Sequence, residues 1–163
     1  MTTEEKQVLL KPIVEAARSA VELAPTSAWA HARLAQVLRN AGSYAEAEAE
    51  FRKAIHLDPA WGIPHNGLGV LYSKQGKDDK ALLQFEKAAF LDTSYAFTHV
   101  YLSILFLRQD KRDLAIAQVQ KAILIDPNDA DLHDIHSDLF DGNDTVISAI
   151  TGPIGPNAFW SLG

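Results

Sequence analysis

Residues 51–61 read FRKAIHLDPAW, a phrase that builds a helix and then ends it. Phe51 to Leu57 supplies helix formers, with Ile55 and Leu57 apolar among them, and Asp58-Pro59 follows. Proline lacks the N–H that a helix interior needs and disfavours helical geometry in the residue before it. The helix is expected to stop at about Leu57. Pro59 is expected near the start of the next helix, where a missing N–H costs little.

The phrase recurs. Residues 20–35 read AVELAPTSAWAHARLA, 54–69 AIHLDPAWGIPHNGLG, 88–103 AAFLDTSYAFTHVYLS and 122–137 AILIDPNDADLHDIHS. The copies start at 20, 54, 88 and 122, a constant step of 34 (54 − 20). Ala20, Ala54, Ala88 and Ala122 share one slot, and His31, His65, His99 and His133 share another. Pro25, Pro59 and Pro127 share a third, with Thr93 standing in for proline. A period of this size marks an array of supersecondary units, none of which buries its apolar face alone.

Each unit divides into two helices. His31, Leu34, Ala35 and Leu38 fall at i, i+3, i+4 and i+7, one face of a first helix. Asn40-Ala41-Gly42-Ser43 then breaks the pattern, and Gly42 tolerates the left-handed backbone that ends helices. A second helix is expected from about Tyr44 to Leu57, with Ala47, Phe51, Ala54 and Ile55 on its stripe. The alanines let a neighbouring helix approach closely, while Phe51 fills the space between them. The next copies set Leu68, Gly69 and Tyr72 against Ala81, Phe85 and Ala88, then Leu102, Ser103 and Phe106 against Ala115, Val119 and Ala122. Gly76 repeats the turn glycine, and Asp110 replaces it in the third copy.

This pattern resembles the tetratricopeptide repeat, on Leu34, Ala35, Leu38, Ala47, Phe51, Ala54 and Pro59, and on Leu68, Gly69, Tyr72, Ala81, Phe85 and Ala88. It covers residues 28–129, less tightly from Ala96 onward. The His31/His65/His99/His133 slot departs from it, since the family often carries Trp there. The resemblance implies an all-α fold, a right-handed α-α superhelix (a tetratricopeptide solenoid) of three full repeats flanked by half repeats. The solenoid spans residues 1–140: half repeat 12–27, repeats 28–61, 62–95 and 96–129, and half repeat 130–140. In the first half repeat a lone second helix runs from Pro12 to Leu23, with Ile13, Ala17 and Ala20 in its slots. Thr2 to Glu5 offers a capping box ahead of it. Residues 141–163 supply a short helix, about Asp144 to Ile150, and a Gly/Pro-rich tail.

Stacked helix pairs leave a concave face, which the resemblance implies binds extended peptides or helices. Off the core face of each first helix lie Trp29, Ala32, Gln36, Arg39 and Asn40, then Ile63, Asn66, Val70, Ser73 and Lys74, then Phe97, Val100, Ile104, Leu107 and Arg108. Trp29, Ile63 and Phe97 share a slot and form an apolar ladder that Val70, Val100, Ile104 and Leu107 extend. Arg39, Lys74 and Arg108 make a basic edge. The expected ligand is an apolar peptide or amphipathic helix of a partner protein, with an acidic flank. The competing reading packs these apolar residues between repeats or against the protein's own tail. Some tetratricopeptide proteins clamp chaperone C-termini with Lys and Asn in particular slots. Here those slots hold Ala32, Gln36, Gly67, Phe97 and Tyr101, so such a clamp is not expected.

Other chemistries find little support. The chain has 15 Lys and Arg against 21 Asp and Glu, a formal net charge of −6, and phosphate binding needs concentrated Lys and Arg, so no nucleic acid is expected. It has no cysteine, hence no disulfide or thiolate metal site. No apolar run is long enough for a membrane span, and MTTEEKQVLLKP lacks a secretory pattern. The expected location is the cytoplasm. Equivalent histidines on successive helices are roughly 8–10 Å apart, too far to share one zinc, so that slot is read as packing. His133 and His136, at i and i+3 beside Asp134 and Asp138, are a weaker metal candidate. Asp141–Asp144 lacks the spacing and closing Glu of a calcium loop, and Asp129, Asp131 and Asp144 read as partners of helix dipoles. No nucleophile–base pair or phosphate loop stands out. The expectation is a non-enzymatic adaptor or assembly factor without metal or cofactor. The alternative is a homo-oligomer formed by the tail, whose Val146, Ile147, Ile150, Phe159 and Trp160 would otherwise cap the last half repeat.

Overall fold

A computed structural model describes residues 3–142. Among the described residues there are eight α-helices and no strand: α1 (Thr3–Leu23), α2 (Ala28–Asn40), α3 (Tyr44–Leu57), α4 (Gly62–Lys74), α5 (Asp78–Leu91), α6 (Ala96–Arg108), α7 (Arg112–Ile125) and α8 (Ala130–Asp141). The first helices begin at 28, 62, 96 and 130 and the second helices at 44, 78 and 112, so the 34-residue step of the sequence is the step of the fold. The chain divides into two compact units at the Leu91–Asp92 junction. Thr2, the expected helix from Asp144 to Ile150 and the tail with its Val146, Ile147, Phe159 and Trp160 lie outside the described residues.

In the first unit α2 pairs with α3 and α4 with α5; α1 packs on α2, and α4 packs on both α3 and α2. In the second unit α6 pairs with α7, and α8 packs on α7. Inside each pair the expected stripes are buried: Ala47, Phe51 and Ala54, then Ala81, Phe85 and Ala88, then Ala115, Val119 and Ala122. Removing such apolar surface from water is the main favourable contribution to the fold.

The turns between paired helices reverse through one left-handed residue each: Gly42 (φ +86°), Gly76 (φ +69°) and Asp110 (φ +58°). Asp110 is the one non-glycine among the described residues with positive φ. Asp tolerates this region better than most side chains do, which is how the third copy dispenses with the turn glycine.

Two expectations on helix ends are corrected. Pro59 does not enter the next helix. It sits in a turn in which Trp61 N–H donates to Asp58 O (3.3 Å) and Ala60 N–H donates to the Asp58 carboxylate (3.2 Å), and α4 begins only at Gly62. Proline is favoured at the second position of such turns because its φ is already set. The first helix is longer than the expected Pro12–Leu23. It runs from Thr3 and carries Pro12 inside it. Pro12 leaves the Val8 carbonyl without its helical donor, but Pro12 is exposed and Val8 is 72% exposed, so water can serve that oxygen. Helix starts are capped where the sequence provides for it. Ala30 N–H donates to Ser27 Oγ (3.2 Å), and the N–H groups of Asp131 (2.9 Å) and Leu132 (3.4 Å) donate to Asp129.

Candidate partner-binding surface

The candidate positions sit on α2, α4 and α6, and burial sorts them by slot. Trp29 (63% exposed) and Ile63 (48%), both in the first unit, stand in water at the second residue of α2 and α4, and Phe97 (48%) does so on α6 in the second unit. Large apolar side chains at one recurring slot are costly to expose. Phe97 is partly shielded by Tyr95, their ring centroids 5.7 Å apart. Near the far ends of the same helices Asn40 is exposed, while Gln36, Ser73, Lys74, Leu107 and Arg108 are half-buried.

The remaining expected positions are interior. Ala32, Asn66 and Val100 share a slot that is buried in all three copies, and Arg39, Val70 and Ile104 are buried too. Val100 and Ile104 pack in one cluster with Ala122 of α7 and Leu132 of α8. These two are buried by their packing against α7 and α8. The physical reason lies within each unit: α4 packs on α2 in the first, and in the second Val100 and Ile104 pack with Leu132 of α8. A first helix packed in this way keeps one edge open, not its whole outer face.

Beneath this surface three polar and steric devices hold the first helices in place. The first is the histidine slot. His65 Nδ1–H donates to Gln84 Oε1 and His99 Nδ1–H donates to Gln118 Oε1, each at 2.8 Å, and His31 Nδ1 lies 2.5 Å from Glu50 Oε2. Every bond spans 19 residues and joins a first helix to its own second helix. His31 also reaches the Pro25 carbonyl through Nε2 (2.9 Å), and His133 reaches the Pro127 carbonyl in the same way (3.0 Å). Packing was expected here; hydrogen bonding is what these rings add to it. Glu50, Gln84 and Gln118 recur at the same 34-residue step and are the signal that sequence reasoning missed.

The second device is a pair of phenylalanines seated on glycines of α4. A Cβ placed on Gly67 would overlap the ring of Phe51, and one placed on Gly69 would lie 2.7 Å from Phe85 Cε1. Helix α4 is thus flanked by rings from α3 and α5, and only glycine lets them this close. The clamp slot at Gly67 is therefore filled by Phe51. In α7 the ring slot holds Val119 instead, which packs with Ile135 and Leu139 of α8; a bulkier neighbour takes the volume that a ring would need.

The third device joins α3 to α4. The Tyr72 hydroxyl donates to Glu48 Oε1 (2.7 Å), and Arg52 donates to the same oxygen through Nε (3.1 Å) and Nη2 (3.0 Å). Arg52 Nη2 also lies 3.0 Å from the Tyr72 oxygen, and Lys80 Nζ stands 5.7 Å from the centre of the Tyr72 ring. The hydrogen bond from Tyr72, joined by those from Arg52, holds the Glu48 carboxyl below its ordinary range against the opposing effect of burial. Burial, then the bond to Glu48, pushes the Tyr72 phenol up.

Neither histidine of the candidate metal pair is arranged as a ligand. His133 Nε2 faces the Pro127 carbonyl, while His136 Nε2 faces the side-chain amide of Gln120 (3.3 Å) and its ring stacks on Phe140. Among the described residues no three of His, Cys, Asp and Glu gather where a metal ion would fit. No helix among them is long and apolar enough to cross a membrane. A further cleft of about 650 Å³, unread in the sequence, lies between α1 and the α2–α3 turn and is lined by Val8, Val14, Lys11, Arg18 and Ala41 among others.

The family model for the tetratricopeptide repeat matches residues 28–61, the hairpin of α2 and α3. The chain carries a tetratricopeptide repeat and has the tetratricopeptide fold. Its solved neighbours agree. A crystal structure of MamA is similar over 91% of this chain and 90% of that one (18% identity, TM-score 0.70). TTC0263, a thermophilic tetratricopeptide protein of Thermus thermophilus, is similar over 84% of this chain and 76% of that one (23% identity, TM-score 0.72). The first tetratricopeptide domain of Spaghetti (RPAP3), solved with the HSP90 peptide SRMEEVD, is similar over 71% of this chain and 92% of that one (16% identity, TM-score 0.65). At such identities the likeness is one of tetratricopeptide fold. No curated protein matches the chain by sequence.

Proposed function

We propose that this tetratricopeptide protein is a non-enzymatic adaptor or assembly factor of the cytoplasm, binding a peptide or helix of a partner protein along the open edges of its first helices. The observation that carries the reading is the recurrence of a large apolar side chain in water at one slot, Trp29, Ile63 and Phe97. Exposed apolar side chains that gather into one patch mark interaction surfaces, and aromatic anchors commonly dominate binding energy. Gln36, Asn40, Lys74 and Arg108 supply polar and basic contacts at the same edges. Arg39, Asn66, Val70, Val100 and Ile104 stay in the proposed surface only as the buried layer that supports it. The partner segment is apolar or amphipathic. An acidic peptide such as the one bound by the Spaghetti domain is disfavoured here, because the clamp slots hold no Lys or Asn.

Selection from a displayed library of short random peptides tests this. The expected result is enrichment of apolar and aromatic residues at helical or alternating spacing, and binding lost at least tenfold in a Trp29→Ala/Ile63→Ser variant whose circular dichroism is unchanged. Selected peptides that bind the variant as tightly as the parent would overturn the reading.

A further inference from the structure

Helix α1 presents a second apolar stripe, exposed among the described residues except at the half-buried Ala20. Leu10, Val14, Ala17 and Val21 form the sheltered stripe, half-buried or buried where α1 packs on α2. Beside it run Leu9 (61% exposed), Ile13 (48%), Ala16, Ala20 and Leu23 (88%). Their spacing is 4-3-4-3, the spacing of a coiled-coil seam, and from Leu9 to Leu23 the seam is about 21 Å long at 1.5 Å per residue.

The repeat register says what kind of surface this is. Ile13 and Ala20 are the counterparts of Ala47 and Ala54, which the first helix α2 covers completely in the next hairpin. The seam is therefore the hairpin face of a second helix, shaped to receive another helix. A first helix in register would end at residue 6 (40 − 34), but Thr3–Lys6 already belong to α1, so this register leaves the place without an occupant.

We propose that the occupant is α1 of a second copy, packed antiparallel. With the copies in the register that sets Ile13 opposite Ala16, Leu9 falls opposite Ala20, and the two-fold axis repeats both layers. The layers of Leu9, Ile13, Ala16 and Ala20 then each match one large side chain with one small one, the arrangement that lets facing helices interdigitate, while Leu23 falls opposite position 6, beyond the matched layers. A parallel pairing in register would set Leu9 against Leu9 and Ala16 against Ala16, bulky at one end and hollow in the middle. The antiparallel sense also opposes the two helix dipoles, and it makes an isologous contact that closes at two copies. The obvious rival is α8, a first helix with no second helix after it among the described residues. Its corresponding face, however, holds His133, His136, Ser137 and Phe140, and three of these four would bury polar groups against alkyl groups. A single helix pair is smaller than the roughly 1,200 Å² of stable interfaces, so the dimer is weak and concentration-dependent.

The chain has no cysteine of its own, which makes the full-length protein suited to disulfide trapping. An Ile13→Cys chain mixed with an Ala16→Cys chain is expected to give a mixed disulfide dimer in severalfold excess over either chain alone. Sedimentation equilibrium of the parent is expected to show mass rising from one chain toward two with concentration. Ile13→Lys, at a side chain already half in water, is expected to stay monomeric with unchanged circular dichroism and melting. A parent that remains monomeric up to its solubility limit would overturn the proposal. So would trapping best between two Ala16→Cys chains, which indicates parallel pairing or another register, or best between Ile13→Cys and Phe140→Cys chains, which indicates that α8 is the occupant.

Discussion

The Phe85 ring lies so close to the backbone of Gly69 that a single added carbon on the glycine would fall 2.7 Å from Cε1. The hairpin of α4 and α5 is therefore closed by the absence of a side chain as much as by the presence of one. Gly69→Ala is expected to destabilise the protein by about 1–3 kcal/mol, the usual cost of overpacking a filled interior, although alanine is the better helix former. Urea unfolding followed by circular dichroism measures it, and a variant as stable as the parent would contradict the geometry.

The histidine bonds predict a graded series. Glu50→Gln copies what the next two repeats do with Gln84 and Gln118 and is expected to change stability by less than about 0.5 kcal/mol, within the range of mild substitutions. Glu50→Leu leaves the His31 Nδ1 position without its partner in a buried site and is expected to cost about 1–3 kcal/mol. Thermal melting of the two variants side by side separates a hydrogen-bonding slot from one that merely fills space.

Stability should fall at both extremes of pH, for reasons located in one cluster. Glu48 has its folded value below the ordinary 4.5. Its contribution is thus complete above that ordinary value and is lost as pH falls through the lowered folded one. Tyr72 has its folded value above 10.0, so its contribution is complete below that and is lost as pH rises through the raised value. Glu48→Gln is expected to flatten the acid limb of a stability–pH curve, and Tyr72→Phe the alkaline limb, each leaving the opposite limb steeper than its own.

Asp110 holds the left-handed turn that Gly42 and Gly76 hold elsewhere. Asp110→Gly is expected to raise the stability of the second unit by about 0.5–1 kcal/mol, as backbone strain relieved outweighs the entropy glycine adds to the unfolded chain. Hydrogen exchange of α6 and α7 amides reads this directly.

Helix pairs, stripes and turns were legible because each rests on local rules that the 34-residue step repeats three times. Phe51, Phe85 and the alanines around them announce a core in any copy. What escaped was set by neighbours. Val100 and Ile104 look like surface residues until Ala122 and Leu132 close over them, and no periodicity within α6 reveals that. Pro12 reads as a helix start because proline is favoured there; its place inside α1 depends on water serving the carbonyl of the exposed Val8. The ties from His31, His65 and His99 could have been found, since their acceptors recur in step with them, but a distance of 19 residues falls outside the patterns of a single helix.

Those ties have a consequence for how such a chain changes length. Each begins and ends within one hairpin, so a duplication or excision of one whole period carries donor and acceptor together and severs nothing. An insertion inside one of the 19-residue spans would part the two. Growth by complete modules therefore spares these ties, and what has to be refitted at a new junction is the contact between hairpins, such as Tyr72 with Glu48 and Phe51 with Gly67.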